Sequence, residues 1–222
     1  MTRTEAPVRT PARKSRGRPA LSDVEGRLLR AIEVLLDDGN AFATLSIGTL
    51  ARRAGISRAT FYLHFRDKGA LVACLLTRIS DEIVASGSAW FAATRGAGPR
   101  EVRAALHGVV QAFGKHHAVL TAVAETAPFD TAVAAIYQDM MARLCAASRR
   151  AVAAVRAEGR ATPDADDAMA DTLTWMVALH CTRFAHGRSG QRPRALVDTL
   201  TAICTGAIFA NPQVPASRRQ IK

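Results

Sequence analysis

The chain runs to 222 residues, 49% of them hydrophobic, with 30 Lys and Arg against 19 Asp and Glu for a formal net charge of +11. A length of this order buries a sizeable core, arranged as one large domain or as a small one followed by a mid-sized one. The N-terminus is charged with no apolar run behind it, and no window reaches membrane-spanning length without charges; neither a secretory signal nor a membrane span is expected, and a cytoplasmic protein is.

The basic excess is uneven. Residues 1–70 hold thirteen Lys and Arg against seven acids, residues 71–210 fourteen against twelve, and residues 211–222 three against none. A basic N-terminal part asks for a polyanionic partner. Nucleic acid comes first, because phosphate contacts by Lys and Arg supply most of its non-specific affinity. The four cysteines, Cys74, Cys145, Cys181 and Cys204, stand isolated in apolar stretches with no CxxC spacing and read as buried thiols.

Residues 1–20, rich in Thr, Pro, Ala and Arg, have almost nothing to bury and are expected to form a disordered basic tail. Beyond them the pattern is helical throughout, with apolar residues recurring at three- and four-residue spacing. A first helix starts at the N-cap Ser22, where Glu25 completes a capping box, and carries Leu28, Leu29, Ile32, Leu35 and Leu36 on one stripe as far as Asp37-Asp38-Gly39-Asn40. A second runs from about Ser46 to Ala54 and is stopped by Gly55; a third runs from Ser57 to about Phe65. A fourth begins near Asp67 and continues through Leu71, Leu75, Leu76, Ile79 and Ile83 toward Phe91. Further helices are expected at about 99–116, 117–126, 130–158, 164–186 and 193–210, separated by breaks bearing Gly and Pro. The expected fold is all-α, a small unit at 21–70 followed by a larger helical one at 71–210, with 211–222 as a flexible C-terminal tail.

Residues Thr44 to Ser57 have the grammar of a helix-turn-helix: apolar positions hold two short helices together, Gly55 supplies the turn, and Ser57 caps the second helix. The second helix of such a pair enters the major groove with its N-terminal side chains at base edges. Here those are Arg58, Ala59 and Thr60, followed by Tyr62 and His64. A plain helix corner shares the apolar grammar. The string Phe61-Tyr62-Leu63-His64-Phe65-Arg66-Asp67-Lys68 goes further, setting an aromatic core residue, a hydroxyl, an imidazole and a helix-starting lysine in an order that packing alone does not require.

On these residues, from Leu28 to Leu71, the chain resembles the TetR-type repressors, through the motif that runs from Leu50-Ala51 by Gly55-Ile56-Ser57 to Tyr62-Leu63-His64-Phe65 and Lys68. Ala59 stands where that family usually has Gly, and Gly69 where it usually has Glu. The resemblance implies an N-terminal three-helix DNA-binding unit on a larger all-helical ligand-binding and dimerisation domain. It implies base-edge or groove-floor contacts from Arg58 and Thr60 and phosphate contacts from Thr44, Ser57, Tyr62, His64 and Lys68, with Ser46 and Ala59 in the same interface. Chemistry agrees, since Arg pairs bidentately with guanine while hydroxyls, imidazole and ammonium suit phosphate oxygens. For His64 a backbone-satisfied histidine at a helix end is the alternative. In the tail, Arg16-Gly17-Arg18-Pro19 resembles the core of an AT-hook, which would place Arg16 and Arg18 in a narrow A·T minor groove; a solvated basic tail is the alternative, and both add electrostatic affinity.

Farther on, Ala112-Phe113-Gly114-Lys115-His116, the helix end at Arg156-Ala157-Glu158-Gly159 and Val197-Asp198-Thr199-Leu200 resemble the subfamily of repressors that controls an ethionamide-activating monooxygenase. That implies a pocket for a small, largely apolar effector. The expected lining is Leu106, Val110, Phe113, Ile136, Tyr137, Met140, Met141, Leu144, Thr174, Trp175, Leu179 and His180, residues that without the resemblance read as plain core. Where the family has pocket asparagines in the penultimate helix, Thr174 and Val177 stand. The last two helices, about 167–186 and 194–210, are the implied homodimer bundle.

His116, His117, His180 and His186 lack ligand spacing with a carboxylate partner, so no metal is expected, and no cofactor either. An enzyme lacks support, because there is no nucleophile–base pair and no phosphate-cradling loop. The expected function is a dimeric repressor that binds a palindromic double-stranded operator and is released by a small hydrophobic effector; the alternative is a constitutive DNA-binding protein whose second domain only dimerises.

Overall fold

In the computed structural model the described residues are 22–92, 96–185 and 193–210; the expected tails, with Arg16 and Arg18, and also His186 lie outside them. The described residues form helices α1 (Asp23–Asp37), α2 (Ile47–Ala54), α3 (Arg58–His64), α4 (Lys68–Ser86), α5 (Ser88–Phe91), α6 (Pro99–Lys115), α7 (His117–Thr126), α8 (Thr131–Ala157), α9 (Asp167–Phe184) and α10 (Pro193–Ile208). A single 3₁₀ turn, Phe42–Thr44, joins α1 to α2. None of these helices is long and apolar enough to cross a membrane.

Local chemistry sets most of the boundaries. Ser22 and Glu25 form a reciprocal capping box on α1, with the Ser22 amide donating to the Glu25 carboxylate at 2.9 Å and the Glu25 amide donating to the Ser22 hydroxyl at 3.2 Å. Asp67, Asp130 and Asp166 cap α4, α8 and α9 through side-chain oxygens that accept from the first-turn amides. The expected fourth helix is interrupted. It ends at Ser86 because the Phe91 ring folds back over Gly87, where any Cβ would overlap that ring, and α5 follows as a separate turn. Likewise α9 starts at Asp167 and not at 164, since Asp166 is the residue whose carboxylate faces the amide of Met169.

Buried apolar side chains make one continuous cluster from Leu28 in α1 to Ile208 in α10. At one end Leu28, Ile32, Leu50, Phe61 and Leu71, all without solvent exposure, hold α1, α2, α3 and the start of α4 together. α4 then continues between α6, α7 and α8, α9 packs on α8, and α10 packs on α6. Two glycines let α6 come close to the backbone of its neighbours. A Cβ at Gly108 in α6 would overlap the carbonyl oxygen of Ser86 at the end of α4, and one at Gly114 would stand 3.2 Å from the carbonyl oxygen of Ala185. After α8, the segment 159–166 is tied to the end of α10 by an isolated bridge between Ala161 and Phe209 and by the Thr162 hydroxyl, which donates to the Ala207 carbonyl at 2.7 Å.

One buried charge links α1 to α4. Glu25 pairs with Arg78 at 2.8 Å and accepts from the Cys74 thiol at 3.4 Å. Burial alone would raise its pKa, but the Ser22 amide and the Arg78 guanidinium outweigh that, and the carboxyl sits below its ordinary value. A carboxylate whose pKa is depressed on folding contributes stability above its unfolded pKa and loses that contribution as pH falls through the folded one. Glu25→Gln is therefore expected to cost about 1.5–3 kcal/mol at neutral pH. The gap to the parent should shrink as urea midpoints are measured at successively lower pH below about 4.5; a constant gap would show that the charge plays no part.

Candidate nucleic-acid interface and apolar cavity

The pair α2–α3 is held by its ends. Ser46 accepts from the Thr49 amide at 3.0 Å and Ser57 from the Thr60 amide at 2.9 Å. Gly55, at φ +64°, closes α2: its amide donates to the Arg52 carbonyl and the Ile56 amide to the Ala51 carbonyl, so two of the orphan carbonyls are satisfied. Arg27 of α1 adds a cap from outside. Its Nε donates to the Ala54 carbonyl at 2.9 Å and its Nη2 to the Gly55 carbonyl.

With Phe61 fully buried, α3 turns its other residues outward: Arg58, Ala59, Tyr62, Leu63 and His64 are exposed and Thr60 is half-buried. The Arg58 stem passes beside Gly48 of α2, where a Cβ would touch its Cδ at 3.7 Å. Tyr62 leans edge-on against Phe61, ring centroids 5.7 Å apart. Thr44 is exposed with its hydroxyl donating to the Ala41 carbonyl at 2.9 Å, and the Ser57 and Thr60 hydroxyls bond each other at 2.9 Å. The structure therefore brings the expected interface residues, other than those in the tail, to one end of the molecule. Leu63, 84% exposed, was not anticipated; its position four residues after Ala59, on the same outer stripe, was the available signal.

Lys68 departs from its expected place at a phosphate. Its ammonium donates to the carbonyls of Phe42, Ala43 and Leu45 at 3.2, 2.9 and 2.7 Å, and lies 5.2 Å from the centre of the Phe42 ring. Desolvation lowers its pKa, and nearby Glu125 opposes the shift. A lysine has three N–H donors, and all of them are spent inside the protein.

The second feature is a partly open cavity of about 80 Å³ between α5, α6, α8, α9 and α10. Trp90, Phe91, Leu106, Phe113 and Leu144 make much of its wall, and Thr174, Ser148 and the Cys204 thiol are its polar groups. The Thr174 hydroxyl is spent on the Ala170 carbonyl at 2.8 Å, Ser148 reaches the same carbonyl at 3.5 Å, and burial pushes the Cys204 thiol up to about 11. Among the described residues no charged side chain lines the space.

Leu106, Phe113, Leu144 and Thr174 lie where the sequence reading expected them, on the cavity wall. The other eight do not line it. Val110 borders a surface groove between α6 and α10, and Met140 and Met141 are buried core. Tyr137 and Trp175 meet edge to face at 6.1 Å, Ile136 is half-buried, Leu179 is 59% exposed, and the His180 ring lies tilted against Phe184 at 4.6 Å. For Trp175, Leu179 and His180 the reason lies in α9, whose apolar residues spread around much of the helix, so that periodicity does not single out the inward face, whereas Val110 of α6 and Ile136, Tyr137, Met140 and Met141 of α8 pack into or against the core outside the cavity wall. Among the described residues no group of three His, Cys, Asp or Glu is placed to hold a metal ion.

The profile of bacterial regulatory proteins of the tetR family matches residues 30–75, and that of the transcriptional regulator EthR C-terminal domain matches residues 102–210. The HTH-type transcriptional regulator EthR of Mycolicibacterium smegmatis is 31% identical over 217 residues, which cover 93% of this chain and 95% of that protein. The chain belongs to the TetR family. It is a transcriptional regulator with a helix-turn-helix DNA-binding segment and a C-terminal domain of the EthR type. Two solved structures share the TetR fold. A tetR-family regulatory protein from Rhodococcus RHA1 superposes with a TM-score of 0.69 at 17% identity over 86% of this chain and 100% of that one. The ketosteroid transcriptional regulator KstR2 of Mycobacterium tuberculosis gives 0.65 at 20% identity over 88% and 98%.

Within this TetR-family chain the role of Lys68 is testable. Lys68→Met keeps the stem over Phe42 and removes the ammonium, leaving the Phe42, Ala43 and Leu45 carbonyls without it. Stability should fall by about 1.5–3 kcal/mol in urea unfolding, while the slope of log DNA affinity against log salt stays unchanged. A slope reduced by about one charge would return Lys68 to a phosphate.

Proposed function

We propose that the chain is a homodimeric repressor that reads a palindromic operator with α3 and releases it when an uncharged, largely apolar ligand enters the cavity between α5, α6, α8, α9 and α10. One observation carries the DNA-reading half: α3 buries Phe61 alone and presents Arg58, Ala59, Tyr62, Leu63 and His64 to the outside. Such a helix fits the major groove, with Arg58 aimed at a guanine edge, Ala59 and Leu63 at thymine methyls, and Tyr62 and His64 at phosphates. Residues 21–70 act as the reading unit and 71–210 as the ligand and dimer unit.

The dimer reading rests on where large apolar side chains remain exposed. Away from α3 and the α7–α8 corner, those among the described residues are Trp175, Leu179 and Ile203, all on the last two helices. On α10 the exposed Thr199, Ala202, Ile203 and Gly206 follow helical spacing along one stripe, small enough for close approach of a second copy. Two-fold pairing there gives two copies of α3 for two half-sites.

The ligand class follows from the cavity wall. With no charged group and with its hydroxyls already bonded to backbone, it favours a neutral apolar molecule. At about 80 Å³ it is smaller than the ~150 Å³ of an engineered cavity that holds benzene, so any sizeable effector has to displace side chains of α5 or α6 as it enters. That small size also favours the second reading, a constitutive DNA-binding protein whose C-terminal helices serve dimerisation alone.

Selection of bound duplexes from a random library tests the DNA half: enriched sequences should carry two-fold symmetric half-sites one helical turn or a multiple apart, and recovery of unrelated duplexes would overturn it. On the selected operator, Arg58→Ala should lose about 1–3 kcal/mol of discrimination against a half-site mutant. For the cavity, Thr174→Leu should fill the space, leave dimer and operator binding measurable, and abolish release by neutral apolar compounds that dissociate the parent complex. Release equal to the parent's would remove the cavity from the mechanism, and a parent that no such compound releases would favour the constitutive reading.

A further inference from the structure

We propose that Glu125, near the end of α7, is a positioning residue for DNA reading: it holds the turn at 42–45, and through that turn α2 and α3, in one place on the rest of the molecule. The inference rests on the DNA-reading function proposed above. It begins with the shortness of the connection, since the 3₁₀ turn Phe42–Thr44 is followed by Leu45 and then at once by Ser46, the cap of α2.

That turn is gripped at both ends by opposite charges. Glu125 Oε2 accepts the Ala43 amide at 2.7 Å, and on the carbonyl side Lys68 of α4 takes Phe42, Ala43 and Leu45. An anion at the amide end and a cation at the carbonyl end both complement the turn's dipole. Glu125 also reaches the turn from a well-anchored helix, because Ala118, Val119, Leu120, Ala122 and Val123 of α7 are buried in the core.

A second close approach seats the same corner. A Cβ at Gly69 would overlap the Asp130 carboxylate and stand 3.3 Å from Asp67 Oδ1. Asp130 and Asp67 are the N-caps of α8 and α4, so the two helices start side by side over a residue with no side chain. The Glu125–Ala43 bond and the Asp130–Gly69 approach together fasten the α7–α8 corner to the reading unit.

The corner also leads back to the cavity. α6, which supplies Leu106 and Phe113 to the wall, ends at Lys115, and α7 begins at His117; His116 caps both. Glu82 of α4 holds that junction through Lys115 at 2.6 Å and His116 at 3.0 Å. With no linker between them, a displaced α6 carries α7 with it, and Glu125 then moves against the 42–45 turn.

The test uses the full chain and three variants, Glu125→Ala, Glu125→Gln and Gly69→Ala, measured for affinity to the selected operator, affinity to random duplex, and amide hydrogen exchange. Glu125→Ala should weaken operator binding about tenfold, a modest inter-site coupling, with random-duplex affinity unchanged because the DNA-facing side chains of α3 are intact. Exchange at Ala43 and through α2 should quicken while α8 keeps its protection. Glu125→Gln, which retains an acceptor, should lose less, and Gly69→Ala should repeat the Glu125→Ala pattern on operator and on α2. Unchanged exchange at 42–50 in Glu125→Ala, or an equal loss on both duplexes, would overturn the proposal. If the parent prefers no duplex, the DNA reading itself fails, and the exchange measurement still decides whether Glu125 holds the turn.

Discussion

A helix of seven or eight residues satisfies few of its own backbone groups, and the two helices on which DNA reading depends, α2 and α3, are of that length. Their shape has to be imposed from the ends. Ser46 and Ser57 take the leading amides, Gly55 turns the chain back onto the α2 carbonyls, and two long cations arrive from neighbouring helices, Arg27 on the end of α2 and Lys68 on the turn before it. Each of these cations spans more than twenty residues of sequence, so the caps are also what join α1 and α4 to the reading pair. Phe61 supplies the apolar anchor, and the caps supply the orientation.

This division explains what could be read in advance. Wherever a boundary is written in adjacent residues, as at Ser22 with Glu25, at Gly55 and at Asp67, the sequence pattern and the structure coincide. The 3₁₀ turn and the break at Gly87 were not legible, because the first is held by Glu125 and Lys68 and the second by the fold-back of a ring four residues away. Lys68 shows the same limit in the site. Its place in the motif indicates a basic side chain near DNA, but its donors are consumed by carbonyls whose proximity depends on how α4 meets the 42–45 turn. Exposure along α3 was legible from Phe61 and its spacing, and Leu63 could have been included on the same argument.

The C-terminal half was legible as helices and much less as a site. Four of the expected wall residues line the cavity, and those on α6 and α8 fall on faces that polar neighbours define. On α9 the sequence alternates too little between polar and apolar, and Trp175 and Leu179 turn away from the cavity that Thr174 and Val177 face. Backbone approach adds a further hidden determinant, since Gly108 and Gly114 set how near α6 lies to α4 and to the end of α9, and hence how much room is left inside.

The cysteines have a consequence for which signals this protein registers. Cys145, Cys181 and Cys204 are buried and Cys74 is half-buried against Glu25; all four thiols are held above their ordinary pKa, Cys181 at about 12, chiefly by desolvation. Peroxide and alkylating agents attack the thiolate, a form that these surroundings suppress at neutral pH. Oxidation and alkylation are therefore disfavoured at these four positions, which leaves the regulator's thiols poorly placed to act as a redox input.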